Sequence, residues 1–383
     1  MELETIKNLF NTYREKGLCH RYITNVHIAP LLNKFETFFK IDTIGHSVLN
    51  KPIYAIKAGR GEKKILMWSQ MHGNESTTTK ALFDLFNTFL SEEKDIQEML
   101  SACTLYIIPI LNPDGASAYT RVNANAVDLN RDAQMLTQPE SLVLKTAFEN
   151  FKPHFCYNLH GQRTIFSAGH NNKPATVSFL APAQDAECTI TNNRKIAMEI
   201  IASMNAMLQK EIPNQIGVYD DAFNLNCVGD TFQSKNVPTI LFEAGHYEND
   251  YARDITRKHI YTSLLSSLLY ISKNNIDGSK YVPYFKIPEN EKLFLDVIIR
   301  NAKLNENQKG VDIGIMYQEK LIDNRIQFIP KIEKIEDLSA FYGHKEYQAN
   351  GDLVLSENNS TLKVNDENDF VIMNNEKIAL LLK

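Results

Sequence analysis

The distribution of apolar and polar positions predicts strands that alternate with helices over the first 275 residues. An apolar run at 64–71 breaks at His-Gly-Asn-Glu into an amphipathic helical pattern that ends near Leu90. A continuous apolar run at 104–111 is typical of a strand buried on both faces of a sheet. Further strands are predicted at 155–159 and 239–242, and helices at 140–151, 193–209 and 251–271. This order predicts an α/β fold built on a doubly wound mixed sheet.

The two ends of the chain have other patterns. Residues 1–30 predict an N-terminal helix, and two alternating runs within 38–57 predict a hairpin that leads into the sheet. From residue 276 onward, short alternating runs are separated by Asn, Gly and Asp. We therefore expect a catalytic domain at 1–275 and a small β-rich domain at 276–383, which either stabilises the fold or restricts the entrance to its crevice.

Composition narrows the possible partners. A formal net charge of -5 gives no reason to expect nucleic acid or a membrane surface as a partner, and no segment has the length of a membrane span. The charged N-terminus does not resemble a secretion signal, so we expect a cytoplasmic protein. Five widely spaced cysteines without a C-x-x-C pair predict reduced thiols. The oligomeric state stays open.

The break at the end of the first apolar run carries candidate metal chemistry. His72 and Glu75 stand three residues apart at the entrance of the predicted helix, so they can offer a nitrogen and an oxygen to one cation. An ordinary helix terminus is the alternative for this pair alone. Other chemically capable residues also follow strand ends: the NPDG segment follows 104–111, His160 follows 155–159 and Glu243 follows 239–242. In an α/β sheet, ligands bind beyond the carboxyl ends of the strands.

Four motifs in order carry a family resemblance. HGNE, NPDG with TRVNANAVDLNRD, LHG and FEAG resemble those of the zinc carboxypeptidase family of the carboxypeptidase A type. The upstream IGHSVLNKPIYAIKAG is similar to the first hairpin of that family, and the resemblance covers roughly residues 35 to 270. The chain looks like a compact bacterial member.

The resemblance implies one zinc ion per chain, bound by His72, Glu75 and His160 with water in the fourth position. A core histidine at a strand end is the alternative for His160. Asp128 matches the carboxylate that in the family holds a ligand histidine, here His72, in its binding tautomer.

The resemblance also implies the catalytic and substrate-binding residues. Glu243 matches the general base that takes a proton from water and hands it to the leaving amine. Arg121 matches the cation that stabilises the oxyanion of the tetrahedral intermediate. Asn130 and Arg131 match the pair that binds the terminal carboxylate of the substrate. The implied partner is therefore a peptide or a small amide with a free carboxylate.

Two departures from the family pattern limit the assignment of the substrate. The loop between NPDG and the arginine-bearing segment is short, which favours a small or unusual substrate. Tyr219 is the candidate for the tyrosine that caps the substrate, and Tyr247 competes with it. Asp230 lies near the expected base of the specificity pocket, where it would favour a basic side chain; a solvated or capping carboxylate is the alternative. We expect His246 to serve in packing or in supporting the site.

These features predict a zinc metallocarboxypeptidase that hydrolyses a C-terminal peptide or isopeptide bond. The alternative is a zinc-dependent deacylase of N-acyl amino acids, similar to the aspartoacylase and succinylglutamate desuccinylase branch, which shares several motifs and also carries a C-terminal β domain. The NPDG segment and the long spacing between motifs favour the peptidase.

Overall fold

The structure is a computed structural model that describes residues 1–382. The chain divides into two compact units, one made of 1–162 and 175–290, the other of 163–174 and the residues from 291 onward. The sequence suggested a boundary after residue 275, whereas the structure keeps 276–290 in the first unit. The reason is a return of the chain to the first sheet, where the carbonyl of Pro288 accepts the Val218 N–H at 2.9 Å.

The described residues form nine α-helices and two short 3-10 segments, at 129–131 and 282–286. The helices are Leu3–Tyr13 (α1), Asn25–Phe35 (α2), Thr77–Phe89 (α3), Lys94–Ala102 (α4), Pro113–Ala118 (α5), Pro139–Phe151 (α6), Asn192–Leu208 (α7), Val228–Ser234 (α8) and Asp254–Lys273 (α9).

The strands of the first unit are Lys40–His46 (β1), Pro52–Gly59 (β2), Lys63–Ser69 (β3), Cys103–Ile108 (β4), Phe155–Gly161 (β5), Val177–Leu180 (β7), Ile216–Val218 (β8) and Thr239–Ala244 (β9). The remaining strands are Phe166–Ala168 (β6), Asn290–Lys292 (β10), Phe294–Ala302 (β11), Val311–Ile322 (β12), Arg325–Glu336 (β13), Tyr342–Gln348 (β14), Val354–Ser356 (β15), Phe370–Met373 (β16) and Glu376–Ala379 (β17).

The first unit is built on an eight-stranded sheet in the order β1-β2-β4-β3-β5-β9-β7-β8. Strands β4, β3, β5 and β9 run parallel. Strand β2 pairs antiparallel with β1 and β4, and β7 pairs antiparallel with β9 and parallel with the edge strand β8. The predicted mixed α/β sheet is confirmed, and the parallel strands bring their carboxyl ends to one edge.

Alternate residues of β3 face two helical layers. Ile65 and Met67 belong to a core with residues of α3, α7 and α9, whereas Leu66 and Trp68 belong to a second core with residues of α6 and α8. Burial on both faces explains why this strand has a continuous apolar run in the sequence.

The N-terminal segment forms two helices where the sequence suggested one over residues 1–30. Helix α1 buries Ile6, Leu9 and Phe10, and α2 buries Ile28, Leu32 and Phe35. Each helix therefore has its own apolar stripe, and the chain turns between them at Gly17.

The second unit consists of β strands. A four-stranded sheet has the order β13-β12-β11-β14, a three-stranded sheet has the order β15-β16-β17, and β10 pairs with β6. Most of these strands follow the predicted runs, but β6 comes from the segment 163–174, which interrupts the first unit in sequence. Over residues 1–382, no helix is both long enough and apolar enough to cross a membrane. The five cysteines have free thiols.

Candidate active site

The HGNE segment follows β3 and forms a turn before α3. The Glu75 N–H donates to the His72 carbonyl at 3.1 Å, and the helix begins only at Thr77. His72 and Glu75 therefore meet through a turn and not, as the sequence suggested, on the face of a helix. Gly73 fixes this turn against the loop after β4, because a Cβ atom at Gly73 would come within 1.9 Å of the Gly115 carbonyl carbon.

Asn112 of the NPDG segment joins the loops that follow β3 and β4. Its Oδ1 accepts the Gly115 N–H at 2.8 Å and so caps α5. Its Nδ2 donates to the Met71 carbonyl at 3.2 Å, directly before His72. Asp114 accepts the Leu49 N–H at 2.9 Å and so holds the β1–β2 turn. The NPDG residues thus position the neighbouring loops.

Three side chains with ligand atoms converge at the carboxyl ends of β3 and β5. His72 Nδ1 lies 2.9 Å from Glu75 Oε1, and His160 Nδ1 lies 3.0 Å from Glu75 Oε2. The two Nδ1 atoms are 3.0 Å apart, and all the ligand atoms lie within 4.8 Å of one another. Two imidazole nitrogens and a carboxylate directed at one point fit the donor set of zinc.

Burial and charge set the protonation of this cluster. Both imidazoles are 2% exposed. Burial lowers the pKa of His72, but the carboxylates of Glu75 and Asp128 outweigh burial and raise it to about 9. Burial lowers the pKa of His160. Burial acts to raise the pKa of Glu75, but the two imidazoles lower it well below its usual range. An ionised carboxylate between imidazoles is suited to a divalent cation, whose binding would displace the His72 proton.

Asp128 supports His72 from the side opposite the cluster. Its Oδ1 lies 3.0 Å from His72 Nε2 and accepts the Asn130 N–H at 2.9 Å. Its Oδ2 accepts from Arg121 Nε at 3.1 Å, and Arg121 Nη1 also reaches Glu75 Oε1 at 3.4 Å. Because Nε2 of His72 is bonded to Asp128, Nδ1 is left to face the cluster.

The loop that carries Arg121 and Asp128 is organised by Asn123. The Asn123 Oδ1 accepts the N–H groups of Asn125 and Val127, both at 3.1 Å. Its Nδ2 donates to Glu140 Oε2 at 3.1 Å, at the start of α6. Asn123 thus anchors the backbone of the loop, while the Arg121 side chain stays 49% exposed beside the cluster.

Glu243 lies on β9 directly opposite His160 on β5 in the parallel register. Burial raises the pKa of Glu243 well above its usual range, and the negative charge of Glu75 adds to this rise. Its Oε2 makes no hydrogen bond to any described residue. The structure therefore brings a carboxyl group with an unused oxygen beside the three ligand-type residues.

Asn130 and Arg131 lie in the 3-10 segment directly after Asp128. Asn130 Oδ1 accepts the Val228 N–H at 3.0 Å, which ties this segment to the start of α8. Arg131 Nη1 donates to the Asn130 carbonyl at 2.7 Å and to Cys227 Sγ at 3.2 Å. The Arg131 side chain is exposed, so most of its N–H groups face solvent.

The two tyrosines weighed as the capping residue have different surroundings. Tyr219 is half-buried after β8, and its pKa is raised by burial and then by the charges of Glu243 and Glu75, so its phenol lies in the field of the cluster. Tyr247 packs on the core with its ring centre 6.1 Å from that of His259. The structure thus associates Tyr219, and not Tyr247, with the other candidates.

Asp230 and His246 are both buried. Asp230 Oδ1 accepts the Asn224 N–H at 3.2 Å, and burial raises its pKa to about 6. The His246 ring packs 4.7 Å from the ring of Tyr251, as expected for a packing residue.

Arg253 is a supporting residue that the sequence did not indicate. Its buried guanidinium donates to the carbonyl of Ala244 at 2.7 Å, to that of Gln162 at 3.0 Å and to that of Gly245. It thereby joins the ends of β9 and β5. Burial raises the pKa of Glu243 overall, and the positive charge of Arg253 acts against that rise. No local motif marks this residue, because its partners are carbonyl groups brought together only by the sheet.

Comparisons with known proteins identify a family for this chain. The family model described as zinc carboxypeptidase matches residues 24–219, just over half of the chain. Carboxypeptidase SOL1 of Arabidopsis thaliana is 28% identical over 167 residues, covering 38% of this chain and 34% of that protein. Carboxypeptidase 2 of Trichophyton tonsurans is 26% identical over 136 residues, covering 33% of this chain and 25% of that protein. The chain thus spans a minor part of the length of these relatives.

Solved structures share the fold at low identity. The metallo-carboxypeptidase from Burkholderia cenocepacia aligns with a TM-score of 0.53 at 16% identity, covering 65% of this chain and 69% of that chain. Carboxypeptidase A from Helicoverpa armigera aligns with a TM-score of 0.51 at 15% identity, covering 70% and 80% of the respective chains. The four motifs, the mixed sheet and the match over 24–219 lead to one conclusion: the chain belongs to the zinc carboxypeptidase family.

Proposed function

We propose that this protein is a zinc-dependent metallocarboxypeptidase that hydrolyses a C-terminal peptide or isopeptide bond. The observation that carries the proposal is the convergence of His72, Glu75 and His160 beside Glu243, with two arginines on the adjoining loop. The family membership supports the same reaction class.

In this proposal the Nδ1 atoms of His72 and His160 and a carboxylate oxygen of Glu75 would hold one zinc ion. When bound, zinc supplies a Lewis acid that polarises a carbonyl and lowers the pKa of a water molecule. Asp128 keeps a proton on His72 Nε2 and so leaves Nδ1 free to bind the ion. The Gly161 N–H, which donates to Glu75 Oε2 at 2.9 Å, fixes the orientation of the carboxylate.

Glu243 is the proposed general base. Its position opposite His160 puts a carboxyl group beside the metal ligands, and a cation there would lower its pKa from the raised value. The ionised Glu243 takes a proton from the attacking water and passes it to the leaving amine. The raised pKa suits the first step, because the conjugate base of a weaker acid accepts a proton more readily.

Arg121 and Arg131 have different proposed roles. Arg121, which is bound to Asp128 at the edge of the cluster, stabilises the negative charge that develops on the carbonyl oxygen. Arg131 and the Asn130 amide nitrogen bind the terminal carboxylate of the substrate, and Tyr219 covers the bound substrate. The exposure of Arg131 supports its role, because its forked N–H donors are open to a ligand.

A deacylase of N-acyl amino acids would use the same cluster, but no contact in the site favours it over the peptidase. A panel of C-terminally varied peptides and N-acyl amino acids separates the two. Hydrolysis restricted to N-acyl amino acids would replace the peptidase by the deacylase.

Amidation of the substrate C-terminus tests the peptidase directly. If Arg131 binds the terminal carboxylate, amidation should cost roughly 2–5 kcal/mol, or a factor of about thirty or more in kcat/KM. Arg131→Ala should raise KM first, whereas Arg121→Ala should lower kcat more than it changes KM. Equal efficiency on the free and amidated forms of one peptide would remove the carboxypeptidase assignment.

A further inference from the structure

The segment that carries Tyr219 is held at two points close together. At the first point, the Tyr219 N–H donates to the Phe179 carbonyl at 3.0 Å. At the second, the Asp221 carboxylate forms an ion pair of 2.5 Å with Arg194 Nη2. The Asp221 carbonyl also accepts the Cys188 thiol at 3.4 Å. Only Asp220 separates the two points.

Arg194 is a fixed anchor for this loop. It lies near the start of α7 and is 1% exposed. Its Nη1 donates to the Cys188 carbonyl at 2.6 Å, and its Nη2 donates to the Ala181 carbonyl at 3.1 Å. Among the described residues, Asp221 is the one carboxylate in an ion pair with it, and the Asp221 side chain is itself 45% exposed. A buried cation therefore holds a carboxylate that belongs to a surface loop.

We propose that Asp221 and Arg194 form a latch that holds Tyr219 over the catalytic cluster, which makes both of them positioning residues. This inference rests on the proposed function, in which Tyr219 covers the substrate. Two residues along an extended chain span at most about 7 Å. Release of Asp221 therefore frees the backbone next to Tyr219, whose phenol lies in the field of Glu243 and Glu75.

The latch gives a role to the buried positive charge of Arg194, which takes no part in the proposed reaction. A simple surface ion pair contributes little and tolerates loss of one partner. Here the cation is buried, so loss of the carboxylate leaves its charge without a counter-ion and disturbs the loop. The carbonyl groups that surround Arg194 belong to 181–189, so the anchor lies outside the metal cluster and its loss leaves the ligands intact.

The test compares Asp221→Asn with Asp220→Asn. Both substitutions remove one negative charge from adjacent positions, but within residues 1–382 the Asp220 side chain accepts only the Ala222 N–H, at 2.6 Å. Native-state hydrogen exchange should show protection of the amides at 219–222 reduced at least several-fold by Asp221→Asn and little changed by Asp220→Asn. KM for a cleaved peptide should rise about 3- to 10-fold in Asp221→Asn, as for loss of one substrate hydrogen bond, with kcat within about twofold.

A double variant decides whether the latch acts through Tyr219. If it does, Asp221→Asn should change KM little once Tyr219→Phe is present, because the two changes remove the same interaction. Equal effects of Asp221→Asn in both backgrounds, or unchanged amide protection at 219–222, would overturn the latch. If the protein cleaved no peptide at all, the proposed function would fall, and reduced protection in Asp221→Asn would still support the ion pair as the restraint on this loop.

Discussion

Replacing Asp128 by Asn tests how the protein prepares His72 for a metal. Asp128 Oδ1 receives His72 Nε2 at 3.0 Å and the Asn130 N–H at 2.9 Å, while Oδ2 receives Arg121 Nε at 3.1 Å. An asparagine has the same shape but only one acceptor oxygen. If the amide oxygen faces His72, the NH₂ group faces the Arg121 guanidinium, which is also a donor. If the oxygen faces Arg121, the NH₂ group faces two donors, His72 Nε2 and the Asn130 N–H. Neither orientation satisfies the site.

The expected loss of zinc affinity follows from the loss of one charged hydrogen-bond acceptor to His72, a proposed zinc ligand. Removing such a partner typically weakens metal binding 10- to 100-fold, equivalent to about 1.4–2.7 kcal/mol. Asp128 is only 22% exposed, so water replaces the lost oxygen poorly. We therefore expect the zinc Kd of Asp128→Asn to be about 10- to 100-fold higher than that of the wild-type protein.

The assay is a competitive zinc titration of the metal-free protein against a chromophoric chelator, with folding checked by circular dichroism. His72→Ala provides the reference for loss of a ligand. Arg121→Ala is the matched control, because it removes the other partner of Asp128 and also a positive charge 3.4 Å from Glu75. It should leave zinc binding unchanged or tighter. A zinc Kd for Asp128→Asn within about threefold of wild type would refute the role of Asp128.

Two further predictions concern buried carboxyl groups. Glu243→Gln should retain stoichiometric zinc while turnover falls at least about 10²-fold, since the amide cannot accept the proton; near-normal kcat would move the role to another carboxylate. Asp230 has a pKa of about 6 in the folded state against 3.8 in its usual environment. The folded protein thus binds the proton more tightly, so this group reduces stability as pH rises from about 4 to 6. Denaturant titrations should therefore show the stability of Asp230→Asn rising relative to wild type by up to about 2–3 kcal/mol between pH 4 and pH 8, and parallel pH profiles would contradict the raised pKa.

Substitutions in the latch and in the proposed catalytic cluster should have different effects on the protein. Substitution of a proposed metal ligand or of the proposed base Glu243 should remove chemistry from a site whose backbone is held by Gly73, Asn112 and Arg253. Substitution of Asp221 leaves that backbone in place and frees one loop. Separate measurements of metal binding, kcat and KM therefore distinguish the two parts of the molecule.

Much of this fold was predictable because the pattern of apolar and polar residues depends on how each strand or helix is buried. The short apolar run at 64–71 predicted a buried strand, because a run of this length without helical periodicity is typical of one, and the structure has β3 at Lys63–Ser69. Parallel strands carry their carboxyl ends to one edge, so residues directly after those strands had to meet. That rule, with the order of the four motifs, predicted that His72, His160 and Glu243 lie close together.

Other features were decided only when distant segments packed. The turn at 72–75 lies where a helical turn was predicted, and there Gly73 closely approaches Gly115 of α5. Only the packed chain shows that Tyr247 lies against the core. The segment 163–174 joined a unit whose other strands begin more than a hundred residues later. Arg253 binds the Gln162 carbonyl, 91 residues away, and Arg194 binds the Asp221 carboxylate, 27 residues away. Such contacts leave no periodicity in the sequence, because the partners of a buried guanidinium are set by where the strands and loops end in space.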